Sequence, residues 1–317
     1  FKYNIGIMIH FLNVISMIII MSKITVITSS RDREEFLEDN IDHISKINSL
    51  KEQIIIDFDS FKKIQKSKYK NTKVKILNVV QEPEWSITRS YNVGINFAKT
   101  EYIMKVDADI LIDYEKFNKI NFENYDILYF MENDWDPGNF ICKASLLKDV
   151  NGFNEYIKSR FDDNDMLKRI KNKGYKVEKV SGLIKEKKRH SDELRHKTTN
   201  NYFKNKSNDT YSYAVVKAHN DAGAYISSLN IWGKKNKLDY QQLSNLDIKI
   251  LHPKYYERIN VYFKLKLKFI YLRTFFTIFY KDRNSIVFSI IKRLLPILMI
   301  FIPKLIIQTL IGVKPSS

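Results

Sequence analysis

Residues 101–110 read Glu101-Tyr102-Ile103-Met104-Lys105-Val106-Asp107-Ala108-Asp109-Ile110. The apolar run predicts a short buried strand, and two carboxylates flank one small residue where it ends. Were the backbone to stay extended, alternation would put Asp107 and Asp109 on the same side. Paired carboxylate oxygens suit Mg2+ or Mn2+, hard ions that keep coordination positions for substrate phosphates. A bare D-x-D arises easily by chance, so its surroundings decide what it means.

Outward from this stretch, strand-like and helix-like runs alternate. Residues 23–28, 53–58, 73–80, 101–106, 126–131, 139–143 and 175–180 read as strands. Residues 32–47 place Phe36, Leu37, Ile41 and Ile44 on one helical face. Ser86 is a candidate cap for a helix through Phe97, and Gly174 closes a helix over 163–173. This alternation predicts an α/β fold: a mainly parallel, Rossmann-like sheet flanked by helices. Ligands of such sheets bind beyond the carboxyl ends of the strands. Acidic residues follow apolar runs at Asp57/Asp59, Asp107/Asp109 and Asp134/Asp136.

The 317 residues carry 53 Lys+Arg against 36 Asp+Glu, a formal charge of +17. With 44% hydrophobic residues the chain is not intrinsically disordered. The single cysteine, Cys142, excludes an intrachain disulfide framework and a cysteine-built zinc site. Residues 1–183 hold 28 basic and 27 acidic residues, whereas 184–317 hold 25 and 9. The excess charge therefore belongs to the C-terminal part. There, residues 255–317 interleave Lys264, Lys266, Lys268 and Arg273 with large apolar side chains, and Leu294–Ile311 carries one charge, Lys304, and two prolines, Pro296 and Pro303. That mixture suits an anionic membrane surface, with attachment that is peripheral or monotopic, or with one spanning helix. A basic amphipathic pair of helices closing the core is the alternative. No nucleic acid partner is expected, because no binding motif accompanies the charge. Residues 1–21 read as an upstream extension or an apolar N-terminal segment, with Met21 the expected start. Residues 22–200 are expected to form the catalytic domain and 201–254 a helical linker.

Glu84-Trp85-Ser86-Ile87-Thr88-Arg89-Ser90-Tyr91-Asn92-Val93-Gly94, followed by the strand and Asp107-Ala108-Asp109, resembles the nucleotide-sugar half of family 2 glycosyltransferases, which have the GT-A fold. Arg89, Asn92, Gly94 and both aspartates match the pattern. Gln53–Ser60 looks like the family's strand ending in D-x-x-S, which implies that Asp57 contacts the base, with Asp59 beside it. Ser29 and Arg31 sit where the family places its first nucleotide contact, although the usual Pro-x-aromatic-Asn form is missing. On physical grounds Arg89 could assist at the phosphates; a salt bridge with Glu82 or Glu84 is the bland alternative.

Downstream, Asn151-Gly152-Phe153-Asn154-Glu155 and then Asp162-Asp163-Asn164-Asp165 with Arg169 and Gly174-Tyr175 resemble the acceptor half of the galactosyltransferase-like branch. Asp162 stands where Glu is usual. The resemblance implies that Asp163 is the general base of an inverting reaction, that Asp162 positions the acceptor, and that His190 completes the metal site, with His196 as the fallback. The plain alternative is that these aspartates favour a helix N-terminus. Trp135 and Asp136 could form a sugar platform or merely pack under a loop, and Arg160 lies in the loop expected to choose the acceptor. The expected activity is transfer of a sugar from a nucleotide diphosphate, UDP-linked, to a saccharide or glycolipid acceptor with Mn2+ or Mg2+, at the cytoplasmic face of a membrane. The rivals are a sugar nucleotidyltransferase, whose glycine-rich basic loop is missing after Ile27, and a noncatalytic membrane-associated binding protein.

Overall fold

A computed structural model describes residues 23–82, 85–131, 138–155, 162–188 and 239–251. The strands are β1 (Ile24–Ser30), β2 (Leu50–Phe58), β3 (Val74–Val80), β4 (Tyr102–Lys105), β5 (Ile110–Ile112), β6 (Ile127–Met131), β7 (Asn139–Lys143), β8 (Val177–Ser181), β9 (Ile184–Lys187), β10 (Asp239–Gln242) and β11 (Asp247–Leu251). The helices are α1 (Leu37–Ser45), α2 (Ile87–Phe97), α3 (Tyr114–Phe117), α4 (Ala144–Asp149) and α5 (Asp162–Asn172).

Among the described residues one sheet runs β10-β11-β3-β2-β1-β4-β7-β6-β8, and β5 pairs with β9 separately. From β11 to β4 all neighbours are parallel, and β7 runs antiparallel to both β4 and β6. The α/β expectation with a mainly parallel sheet is met.

Strand alternation divides the core into two layers. On one face Ile27, Ile54, Ile56 and Ile103 pack with Tyr91 and Val93 of α2 and with Met166 and Ile170 of α5. On the other, Ile24, Val26 and Met104 meet Ile44 of α1, and Ile55 meets Leu37 and Ile41. The close seat of α2 needs Gly94: a Cβ there would lie 2.9 Å from Ile56 Cδ1 and 3.0 Å from Ile27 Cγ2. Ser86 caps this helix as expected, its hydroxyl accepting from the Arg89 N–H at 3.4 Å.

Two expectations change. The extended backbone does not continue through Asp107-Ala108-Asp109. A turn forms instead, closed by the Ile110 N–H to the Asp107 carbonyl at 3.1 Å. The reason is β9, which captures Ile110–Ile112 in a second small sheet and bends the chain away from β4. The helical linker over 201–254 is corrected at its end, because residues 239–251 form a hairpin. Its strand β11 covers the edge of β3, an edge that would otherwise expose a row of unpaired backbone groups. Ile248 and Ile250 alternate into the core at 0% and 2% exposure. No helix among the described residues is long and apolar enough to cross a membrane. The basic, apolar segment 255–317 lies outside those residues, as does 1–21.

Candidate active site

The D-x-D turn is held by buried side chains from three elements. Asn139, at the start of β7, accepts from the Asp107 N–H at 2.8 Å. Asn40 of α1 donates to the carbonyls of Asp107 at 3.2 Å and Ile110 at 2.8 Å. Gln53 in turn donates to the Asn40 oxygen at 2.9 Å and to Thr28 Oγ1 at 3.1 Å. These bonds favour one backbone geometry, because breaking any of them would strand a further buried polar atom, although the Gln53 side-chain oxygen itself has no hydrogen-bond partner among the described residues.

The carboxylates converge on two side chains that the motif reading passed over. Lys105, 1% exposed, donates to Asp107 Oδ1 at 3.0 Å and to the Gly138 carbonyl, and lies 3.7 Å from Asp163 Oδ1. Its ammonium stands 4.4 Å from the centroid of the Tyr91 ring. The Tyr91 hydroxyl donates to Asp107 Oδ1 at 2.5 Å. Thus Asp107 and Asp163, more than fifty residues apart in sequence, share one buried cation.

The charges follow from these contacts. Burial alone would depress the Lys105 pKa, but Asp107, Asp163 and Asp162 together hold it above the usual lysine value. Burial pushes Asp107 upward, and the Lys105 charge with the Tyr91 hydrogen bond outweighs it, so its carboxyl stays below the usual range. Tyr91 is raised well above the ordinary phenol range, first by burial and then by Asp107, Asp163 and Asp109. Asp162 is raised by burial. It is 5% exposed, and its Oδ2 has no hydrogen-bond partner among the described residues. Asp163 keeps 21% of its side chain exposed. Both open α5, whose N-terminal dipole favours negative charge. Asp165 of the same turn instead pairs with Arg169 at 2.8 Å.

Among the described residues no group of three His, Cys, Asp or Glu side chains is gathered to hold a metal ion. The pair Asp107 and Asp109 nonetheless suits Mg2+ or Mn2+, ions bound through one or two carboxylates plus substrate phosphates. The hydrogen bonds from Tyr91 and Lys105 both end on Asp107 Oδ1, so they do not occupy Oδ2. The low pKa keeps that group an anion. Asp109 is 8% exposed, and its carbonyl accepts from the Lys188 N–H at 2.8 Å.

The nucleotide candidates line the carboxyl ends of β1 and β2. Asp57 is 1% exposed and raised by burial. Its Oδ2 accepts from the Ile64 N–H at 2.8 Å, while Oδ1 has no partner among the described residues. The Oγ of Ser30, which is register partner of Asp57, is likewise buried without one. Ser29 shares a hydrogen bond with Ser90. Arg31 donates to the Glu82 carbonyl at 3.3 Å, and Asp59 Oδ2 accepts from the Glu82 N–H at 3.0 Å. Asp59 has a left-handed backbone, φ 54°.

Arg89 makes the ion pair with Glu82, at 3.3 Å, and stands 3.8 Å from Glu155. Asn92 is committed to the 152–155 segment: its amide donates to the Phe153 carbonyl at 2.8 Å and to Glu155 at 3.0 Å, and its oxygen accepts from the Phe153 N–H at 2.8 Å. The two quoted motifs, N-x-G and N-G-F-N-E, therefore clasp each other. Gly152, at φ 63°, is part of the clasp, since a Cβ there would lie 2.4 Å from Asn92 Oδ1. Gly152→Ala is expected to cost about 2–4 kcal/mol, from left-handed strain plus displaced hydrogen bonds. Urea unfolding checks this, and a loss below about 0.5 kcal/mol would mean that the clasp does not contribute. Trp135, Asp136, Arg160 and His190 lie outside the described residues, as does the fallback His196.

Sequence reasoning missed Lys105, Tyr91, Asn40 and Asn139. Lys105 had a readable signal: a charge inside an apolar strand, two residues before a carboxylate and hence on its face. The others become visible only in three dimensions.

No protein-family model matches the chain, and no curated protein does. Solved structures are similar to it. The mannosyltransferase PcManGT from Pyrobaculum calidifontis, in complex with GDP-Man and Mn2+, is 12% identical, with a TM-score of 0.45 over 92% of this chain and 84% of that one. S. aureus TarS 1–349 with UDP-GlcNAc is 14% identical, with a TM-score of 0.49 over 82% and 74%. A Drosophila β-1,4-galactosyltransferase 7 variant with manganese, UDP-Gal and xylobiose is 15% identical, with a TM-score of 0.47 over 74% and 95%. At identities and TM-scores this low the likeness carries no weight for function, which rests on the site's own geometry.

Proposed function

We propose that the protein is a metal-dependent, inverting glycosyltransferase of the GT-A type that moves a sugar from a nucleotide diphosphate, UDP-linked, to a saccharide or glycolipid hydroxyl. The observation that carries the proposal is the shared cation. It holds the D-x-D carboxylate Asp107 beside Asp163, at the start of α5. A donor-side carboxylate and a candidate base thus meet at one place, beyond the carboxyl ends of β1, β2 and β4.

Each residue then has a defined task. Ser30 and Asp57 present buried, unpartnered oxygens to the nucleoside. Asp107 and Asp109 would hold the divalent ion, whose charge would offset the one that develops on the departing diphosphate. Asp163, the more exposed of the α5 pair, accepts the proton of the acceptor hydroxyl. The freed oxygen bonds to the anomeric carbon as the bond to the diphosphate oxygen breaks, with inversion in a single displacement. Asp162 orients the acceptor. His190 is proposed as a further metal ligand, because Lys188, two residues before it, is bonded to the Asp109 carbonyl.

The test is to incubate the protein with a panel of sugar nucleotides and Mn2+ and to follow nucleoside diphosphate release. Release from one donor supports the reading. Release of pyrophosphate instead, or no binding of any sugar nucleotide, overturns it. The basic, apolar residues 255–317 are proposed to hold the enzyme at an anionic membrane on the cytoplasmic side. The chain is expected to sediment with vesicles containing anionic lipid and not with neutral ones, and the association should fall at high salt. Equal sedimentation with both would remove the electrostatic argument.

A further inference from the structure

We infer that Lys105 is a positioning residue that ties the donor half of the site to the acceptor half, an inference that rests on the function proposed above. The lysine belongs to β4 but touches four other parts of the fold. Its ammonium bonds to Asp107 in the D-x-D turn and to the carbonyl of Gly138, and it stands at ion-pair distance from Asp163 on α5. The Tyr91 ring of α2 covers its remaining side. Two of the ammonium's three protons go into hydrogen bonds, to Asp107 and the Gly138 carbonyl, and Asp163 adds an ion-pair contact at 3.7 Å. At 1% exposure Lys105 has no surface with which to meet a substrate. It therefore acts through the carboxylates and not on the reacting atoms.

The physical need is clear. Asp107, Asp162 and Asp163 all act on this one buried lysine, and Asp109 adds a fourth negative charge near Tyr91. Carboxylates crowded in this way repel one another, and without a counter-ion α5 would be pushed from the D-x-D turn. A divalent ion on Asp107 and Asp109 can neutralise the donor side only. Lys105 supplies fixed charge on the other side of Asp107, towards Asp163. It holds Oδ1 of Asp107 and leaves Oδ2 facing away from that bond.

The decisive variant is Lys105→Met, similar in length and uncharged. UDP binding at saturating Mn2+, measured by calorimetry, is expected to stay within about threefold of the unaltered protein, since excess ion takes over from Lys105 as the counter-charge of Asp107, and Asp109 is untouched. The kcat for nucleoside diphosphate release is expected to fall about 100-fold with the donor KM nearly unchanged, because misplacing a base by about 1 Å costs that much. A merely structural lysine would lower binding and turnover together, and that result would overturn the inference.

Thermal unfolding supplies a readout that needs no activity. Lys105→Met and Asp163→Asn should each lower Tm, and the double variant should lower it by less than the two together, because the second change removes a charge already orphaned by the first. Additive losses would overturn the pairing. Should Lys105→Met alone not fold, recovery of folded protein in the double variant supports the inference, and its failure to recover counts against it. If the unaltered protein releases no nucleoside diphosphate, the proposed function fails by itself, while the thermal cycle still decides whether Lys105 couples to Asp163.

Discussion

Asp163→Asn is expected to lower sugar transfer about 100- to 10,000-fold, the range that a positioned base contributes, while Mn2+-dependent binding of the nucleotide persists. The amide keeps the size and shape of the carboxyl but cannot accept the acceptor's proton as a base. Donor binding should survive because the ion's candidate ligands, Asp107 and Asp109, belong to a turn held independently by Asn40 and Asn139. The fold should survive too. Lys105 keeps its bonds to Asp107 and to the Gly138 carbonyl when Asp163 loses its charge. The check is a pair of measurements on one preparation: nucleoside diphosphate release with acceptor present, and UDP binding with Mn2+. If the variant transfers sugar at the original rate, Asp163 is only a favourable charge at a helix N-terminus.

Asp109→Ala is expected to produce the opposite separation. Mn2+-dependent binding of UDP should weaken by at least about 100-fold, since even residues that merely support a ligand cost 10- to 100-fold in metal affinity. Any weak binding without metal should be unaltered. Truncating this side chain leaves the Asp109 carbonyl in place to accept from Lys188, so the β5–β9 pairing should persist. Calorimetry with and without Mn2+ distinguishes the outcomes. Equal losses in both conditions would show that Asp109 shapes the turn and does not bind metal. The two variants therefore probe the two halves of the site separately: one spares binding and loses chemistry, and the other loses binding itself.

Several features of this site were legible in residue order alone. An apolar run ending in Asp107-Ala108-Asp109 announces a strand leading to acidic oxygens, because buried strands and hard-ion ligands each need those residue types. Ser86 before α2 and Gly174 after α5 act locally, through capping and through a left-handed backbone at φ 86°, and both worked where expected. Alternation in Asp247-Ile248-Lys249-Ile250 was also present in the sequence, yet 201–254 was expected to be helical. What settles that strand is the open edge of β3, which lies far away in the chain.

Asn92 and Arg89 show where local reading stops. Both match a nucleotide-binding pattern, but Asn92 spends its amide on Phe153 and Glu155, and Arg89 pairs with Glu82 near Glu155. The Glu82 pair, seven residues from Arg89, was open to local reading as the alternative to a phosphate role, but Phe153 and Glu155, some sixty residues away, cannot be inferred from spacing.

By itself, then, the sequence determined the strand–helix alternation, the places where acidic residues end strands, and the separation of a nearly neutral first half from a basic, apolar end. Those properties depend on neighbours within a few residues, or on simple counts. Only the tertiary structure decided that the D-x-D segment turns instead of extending, that two motifs clasp each other through Asn92, and that Asp107 and Asp163 share Lys105. Each of these depends on which side chain lies within about 4 Å after the sheet has formed, and charge compensation in a buried site acts over that distance whatever the separation along the chain.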